Sequence, residues 1–253
     1  MVFPRSLVTA TVLFGAWEAL ARASGIPAFI LPPPSRVFAV LWLDAGLLAA
    51  NAAMTLAAIL SGLVLGTLIG IGLALALIAS AGARRWIMPL VIVSQALPVF
   101  ALAPLLVIWL GFGLTSKIAM TTLVVFFPVA LAFFEGMKRA DPGLLDLARL
   151  QRASRWQEIA LIRAPSALPA LASGLRGAAA AAPIGAIVGE WVGAASGLGF
   201  LMIQANARMQ TDMVFAATLV LMLIAAVLWY ALDAVLTRAM PWAPESIAGS
   251  RAL

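Results

Sequence analysis

MTLAAILSGLVLGTLIGIGLALALIA, residues 54–79, contains no charged side chain. An α-helix rises 1.5 Å per residue, so a run of this length covers the roughly 30 Å hydrocarbon thickness of a bilayer. A helix that turned one face to water would alternate apolar and polar residues, and this one does not. The charge-free region around it extends from Ala45 to Ala83. Within it Gly62, Gly66 and Gly70 recur every four residues and line one helix face, where a neighbouring backbone can approach closely. Glycine is also common in membrane helices for no specific reason, but the spacing favours packing.

Working outward, residues 87–110 lie in a second charge-free run, and the shorter span over residues 118–135 is apolar until its last residue, Glu135. Residues 167–188 are apolar except for Arg176, and residues 213–233 begin just after Asp212 and reach Asp233. Residues 6–22 are the weakest candidate, because Glu18 falls near the end. No small-residue cleavage site follows this stretch before Trp17, Glu18 and Arg22, so it is expected to be a retained first helix. The expectation is an all-α fold: a polytopic membrane helical bundle of about six transmembrane helices, forming one domain over residues 1–253, with a loop over residues 136–166. Pro98, Pro104, Pro128 and Pro183 each remove a backbone donor inside a span, which predicts kinked helices.

Composition agrees. The 253 residues are 64% hydrophobic and 10% charged, and mean hydropathy is +1.09. A soluble domain needs more charge to cover its surface. Cysteine and histidine are absent, which removes disulfides, thiol nucleophiles, imidazole chemistry and the usual zinc sites. No metal site or cofactor is expected. The net charge of +6 reads as basic residues held on one side of a membrane rather than as a nucleic-acid surface. With six spans, eleven basic residues fall on one face, against Arg22, Arg36, Lys117 and Arg208 on the other. The excess places both termini in the cytoplasm.

The longest polar segment, beginning at Glu135, is not a featureless linker. Asp141 before Pro142 reads as an N-cap with proline at the first helical position. Leu144, Leu147, Ala148 and Leu150 recur at helical spacing, with Arg149 and Arg152 directed elsewhere. Ser154 and Gln157 have capping-box spacing, so a second short helix should begin near Arg155, with Pro165 and Pro169 punctuating its exit. Two amphipathic helices at a membrane surface suit docking into a groove on a soluble partner, or lying on anionic lipid. Physical chemistry alone leaves both open.

The run Leu145-Asp146-Leu147-Ala148-Arg149-Leu150-Gln151-Arg152-Ala153-Ser154, with Ala164-Pro165, Leu168-Pro169 and Gly174-Leu175-Arg176, resembles the cytoplasmic loop of binding-protein-dependent ABC (ATP-binding cassette) importer permeases. The resemblance extends to Trp17-Glu18 with Leu31-Pro32-Pro33-Pro34-Ser35, to Leu97-Pro98 and Trp109-Leu110-Gly111-Phe112-Gly113, and to Gly189-Glu190-Trp191 with Gly197-Leu198-Gly199. It is closest to the branch importing sulfonates, taurine, nitrate and thiamine-precursor pyrimidines. Gln204-Ala205-Asn206-Ala207-Arg208 is most similar to the pyrimidine-precursor permeases. Two positions depart from the family pattern: its glutamate is Asp146 here, and its glycine is Arg152. If that turn needs a positive φ, a non-glycine residue costs on the order of 1 kcal/mol; otherwise the turn is rebuilt.

The resemblance implies a bacterial inner-membrane permease that pairs with a second copy, with two cytoplasmic ABC ATPase subunits and with an extracytoplasmic substrate-binding protein. The chain has no Gly-x-x-x-x-Gly-Lys-Ser/Thr loop, so ATP is expected on the partner subunits. The coupling residues it implies are Asp146, Leu147, Ala148, Arg149, Arg152, Ala153, Ser154 and Arg155. Gln95, Glu190 and Trp191 are candidate pathway residues, Glu190 reading equally well as a solvated interfacial group. Arg176, about two turns into its span, should snorkel or find a partner. A membrane-embedded enzyme would need converging catalytic groups, and a secondary transporter would need coupling-ion carboxylates in several spans. Neither pattern is visible.

Overall fold

The structure, a computed structural model, describes residues 3–94 and 98–242. The described residues form eleven α-helices in chain order: α1 (Phe3–Ala23), α2 (Pro34–Leu43), α3 (Ala45–Ala79), α4 (Ala81–Ser94), α5 (Val99–Leu110), α6 (Leu114–Lys138), α7 (Pro142–Leu150), α8 (Arg155–Glu158), α9 (Ala164–Gly193), α10 (Leu198–Ala207) and α11 (Thr211–Ala239). A π-helical turn, Ile159–Arg163, joins α8 to α9. The described residues contain no strand. Four helical stretches are long and apolar enough to cross a membrane: α3, α6, Arg155–Gly193 and α11.

α6 lies between α3 and α9, and the three form the centre of the bundle. The contact with α3 is made by the glycine stripe. A Cβ on Gly62 would come within 2.4 Å of Thr121 Cβ, one on Gly66 within 2.6 Å of Val125 Cγ1, and one on Gly70 within 2.7 Å of the Phe126 carbonyl oxygen. These are closer than any real side-chain contact, so the recurrence every four residues is a packing seam. Gly174 and Gly185 of α9 approach the backbone of Pro128 and Thr121 of α6 in the same way. With no hydrophobic effect to drive helices together in lipid, such close van der Waals contact supplies the association.

The helix boundaries differ from the sequence expectation at three places. The expected continuous span over residues 87–110 is two helices, α4 and α5, the second beginning after Pro98, whose backbone is extended (φ −62°, ψ 120°). Proline cannot donate to the helical ladder, and α5 starts immediately after it. Pro104, Pro128 and Pro183, by contrast, sit inside unbroken helices. The second helix of the loop is not separate: α8 passes through the π turn into α9 as one helix of 39 residues. The Ala164 N–H donates to the Ile159 carbonyl, five residues back, and this wider turn lies just before Pro165, which has no N–H to give. Finally, the segments between the expected spans contain two further short helices, α2 and α10.

The seam has a direct test. Gly66→Val should destabilise the bundle by about 1–3 kcal/mol in a detergent unfolding assay. Gly72→Val, where an added Cβ meets nothing within 4 Å, should leave the unfolding midpoint near wild type.

Candidate functional site

At one end of the bundle α7 stands out from the spans, and its local structure follows from a few side chains. The Asp141 carboxylate accepts from the Gly143 N–H at 2.7 Å, with Pro142 at the first helical position. α7 ends in a Schellman turn: the Ala153 N–H donates to the Ala148 carbonyl (2.9 Å) and the Arg152 N–H to that of Arg149 (3.0 Å). This turn needs a left-handed residue at the position Arg152 occupies, and Arg152 has φ +56°. The turn therefore keeps the geometry that favours glycine and accepts an arginine in it. Ser154 then opens the next helix with both halves of a capping box: its hydroxyl accepts from the Gln157 N–H, and Gln157 Oε1 accepts from the Ser154 N–H at 2.7 Å. α7 and α8 are thus held at a defined angle by backbone chemistry rather than by packing.

Two arginines tie this segment to the spans. Arg155 donates from Nη2 to the carbonyl of Ile78 (3.2 Å), satisfying one of the free carbonyls at the end of α3. Arg163 pairs with Glu158 (2.6 Å) and donates to the carbonyl of Met137 at the end of α6. Arg155 is therefore an internal anchor. Arg149 pairs with Asp146 on the surface (2.8 Å). Leu145 is buried, Ala148 and Ala153 are half-buried, and Arg152 and Ser154 are exposed. Beside these polar groups α7 and α8 leave three large apolar side chains outward: Leu147 is 51% exposed, Leu150 82% and Trp156 66%.

At the far end of α9 the polar residues are buried. Glu190 and Lys117 are each 1% exposed. Glu190 Oε2 accepts from the Gly199 N–H (2.7 Å) and Oε1 from the Thr55 hydroxyl (2.8 Å); the Thr55 hydroxyl in turn accepts from the Leu198 N–H (2.8 Å). Asn51 Oδ1 accepts from the Gly197 N–H (2.8 Å). Gly197, Leu198 and Gly199 form the start of α10, whose N-cap position, Gly197, has no side chain. Its first three N–H groups are therefore capped from other helices. Lys117 donates to the Ser196 carbonyl (2.6 Å), and its ammonium lies 3.8 Å from Glu190 Oε1. Gly197 has φ +115°, and a Cβ there would stand 2.1 Å from Glu190 Oε1, so only glycine fits. Glu190 is thus a buried helix cap, not a solvated interfacial group.

Trp191, the next residue, is half-exposed and packs on Phe100 at 6.0 Å between ring centroids. Gln95 lies outside the described residues. Arg176 finds a partner across the bundle in Asp233 of α11 (2.6 Å). Sequence reasoning missed Asn51, Thr55 and Lys117; Lys117 was counted among external surface charges although it is buried. It also missed a cavity of about 640 Å³ at the same end as Asn51, where Arg36 pairs with Asp212 (3.0 Å) beside Arg208 and Asp44. Among the described residues no group of three His, Cys, Asp or Glu side chains is arranged to hold a metal ion.

The bundle thus combines helices long and apolar enough to cross a membrane with exposed apolar side chains on α7 and α8. The family model described as "Binding-protein-dependent transport system inner membrane component" matches residues 62–241. A "Probable ABC transporter permease protein" of Haemophilus influenzae is 44% identical over 234 residues, 92% of this chain and 96% of the relative. The "Formylaminopyrimidine transport permease protein ThiX" of Halalkalibacterium halodurans is 34% identical over 232 residues, covering 91% and 92%. A chain of the MetNI methionine ABC transporter in an inward-facing conformation has the same fold, with TM-score 0.63 at 21% identity over 79% of this chain and 97% of that one. The protein belongs to the permease family of binding-protein-dependent ABC importers.

Two substitutions separate the ends. Arg152→Gly should raise stability by about 1 kcal/mol by relieving the left-handed strain, read as a higher melting temperature. Glu190→Gln should lower it by about 3–5 kcal/mol, because the buried Lys117 ammonium loses its counter-charge. Adding Lys117→Met to Glu190→Gln should restore part of that loss.

Proposed function

We propose that this chain forms the translocation pathway of an ABC importer in a bacterial inner membrane, as a homodimer with its termini in the cytoplasm. A pair of ATPase subunits docks on the surface of α7 and α8, and a substrate-binding protein docks at the opposite end. The observation that carries this reading is the outward apolar face of Leu147 and Leu150 on α7 and Trp156 on α8, α7 being joined by the Schellman turn and the capping box to α8, which is helically continuous with α9. Three large apolar side chains in water at the end of a membrane protein are stabilised only when something covers them. Nucleotide is bound by the partner subunits; the permease receives work mechanically, with no cofactor of its own.

Displacement of α7 would pass through the Schellman turn and the capping box into the long helix, and along it to Glu190. Arg155 and Arg163 would carry the same displacement to the ends of α3 and α6. The cavity beside Arg36, Asp212 and Arg208 lies at the opposite end of α3 from Ile78, roughly 50 Å away by the helical rise. It suits contact with the binding protein. The coupling residues in this scheme are Asp146 to Arg149 and Arg152 to Arg155, with Arg155 acting inward. Glu190 and Trp191 belong to the outer part of the pathway region, Glu190 as the residue that positions α10, and Gln95 is retained from the sequence as a pathway candidate.

The substrate that fits best is a thiamine-precursor pyrimidine. Its support is the ThiX-like sequence over nine-tenths of the chain and the Gln204–Arg208 stretch. Thermal-shift screening of the cognate binding protein with formylaminopyrimidine, taurine, alkanesulfonates and nitrate tests it. Stabilisation by the pyrimidine alone is expected, and stabilisation by a sulfonate or nitrate instead would contradict the assignment.

Leu147→Asp with Leu150→Asp should abolish transport and release the ATPase subunit on purification. The melting temperature of the isolated permease should stay within a degree or two, since both side chains are exposed. Undiminished transport in that variant would rule out docking through this face.

A further inference from the structure

The corner between α3 and α4 is made by one residue. The Ser80 N–H donates to the Ala76 carbonyl (3.1 Å), closing α3, and the Ser80 hydroxyl accepts from the Ala83 N–H (3.1 Å), capping α4. The chain reverses there and sets Arg84, Arg85 and Trp86 beside the end of α3. α4 buries none of its residues, and Trp86 is 76% exposed with Leu90 and Val93 uncovered beyond it. A helix with an apolar flank, two arginines and a tryptophan in its first turns has the order of a lipid-facing helix entering the membrane from the headgroup level.

Next to this corner is a cleft of about 190 Å³ between α3, the end of α6, α8 and the π turn. Arg84, Lys138, Arg155 and Arg163 line it, against the single carboxylate of Glu158. Glu158 is taken by Arg163, and Lys138 pairs with Glu135 (3.1 Å) outside the cleft. Arg155 meets only the neutral Ile78 carbonyl, and Arg84 has no side-chain partner among the described residues. Two guanidinium groups thus face one small space without a counter-charge. The volume is below that of drug-sized pockets but holds a phosphodiester, whose oxygens match guanidinium donors. Basic pockets between membrane helices at the headgroup level favour acidic phospholipid.

We propose that this cleft binds the phosphate of an anionic phospholipid whose acyl chains lie along α4. The ligand chemistry, a phosphate oxyanion on paired guanidinium groups, is shared with free phosphate; the exposed flank of α4 selects the lipid. Occupancy would place the headgroup against Arg155, the side chain that ties α8 to α3, and so brace the joint between the coupling segment and the bundle. This inference rests on the membrane location and the cleft, and is independent of which solute is carried.

The test uses the purified importer complex in phosphatidylcholine nanodiscs containing trace spin-labelled phosphatidylglycerol, with the immobilised fraction read by electron paramagnetic resonance. Wild type should immobilise the anionic label in preference to spin-labelled phosphatidylcholine. Arg84→Gln should weaken that preference about fivefold, the effect of one cation near the surface. Arg84→Lys should keep most of it, and Arg238→Gln, an exposed cation outside the cleft, should change nothing. Should Arg84→Gln fail to assemble, Arg155→Gln, which removes the other unpaired guanidinium, carries the same expectation. Absence of a preference in wild type, an equal loss in Arg238→Gln, or displacement of the label by inorganic phosphate would each overturn the proposal.

Discussion

A backbone inside lipid must satisfy nearly all its own hydrogen bonds, and the helix from Arg155 to Gly193 stays continuous over 39 residues although three prolines each remove a donor. The rest of the molecule is arranged around it. One end emerges from a capping box and is anchored by Arg155 and Arg163 to the ends of α3 and α6. The middle packs through small residues on α6, and the far end delivers Glu190 to the start of α10. The π turn at Ile159–Arg163 lets two prolines, Pro165 and Pro169, enter the helix without ending it. A displacement applied at α7 thus has a stiff path to the opposite face.

The same device sets the two short helices. α2 begins after Pro33 and α10 after Gly197, neither of which offers a side-chain cap. In both, a carboxylate from a longer helix takes the role. Glu18 of α1 accepts from the Ser35 N–H (2.9 Å) and hydroxyl (2.8 Å), and Glu190 of α9 accepts from the Gly199 N–H. A negative charge at a helix N-terminus is favourable through both the free N–H groups and the helix dipole. Glu18 remains near solvent and shares Arg22. Glu190 is buried, so it is held by Thr55, Gly199 and Lys117 together or not at all.

What could be read from sequence was local. Apolar length located α3, α6, α9 and α11; Asp141 with Pro142 and Ser154 with Gln157 set the starts of α7 and α8; the four-residue glycine recurrence marked the α3–α6 seam. The conditional cost at Arg152 was also visible, because the turn between two short helices has few solutions. What could not be read was non-local. Thr55 and Glu190 are 135 positions apart, and nothing near either announces the other. α2 and α10 carry no side-chain cap of their own, so nothing local marks where either begins. The break at Pro98 was masked by a charge-free run that continues on both sides of it, and Lys117 resembled an interfacial lysine because its counter-charge lies on another helix.

The central claim is mechanical: the helix from Arg155 to Gly193 transmits the ATPase cycle from α7 to the outer face. Spin labels at Trp191 and Met209 would report the relation between the ends of α9 and α10 in the assembled importer, by double electron–electron resonance with and without trapped ATP. The distance distribution should shift on trapping in the intact chain. It should stay fixed when two glycines are inserted after Leu161, with ATP hydrolysis retained. An equal shift in the interrupted helix, or none in the intact one, would contradict the account.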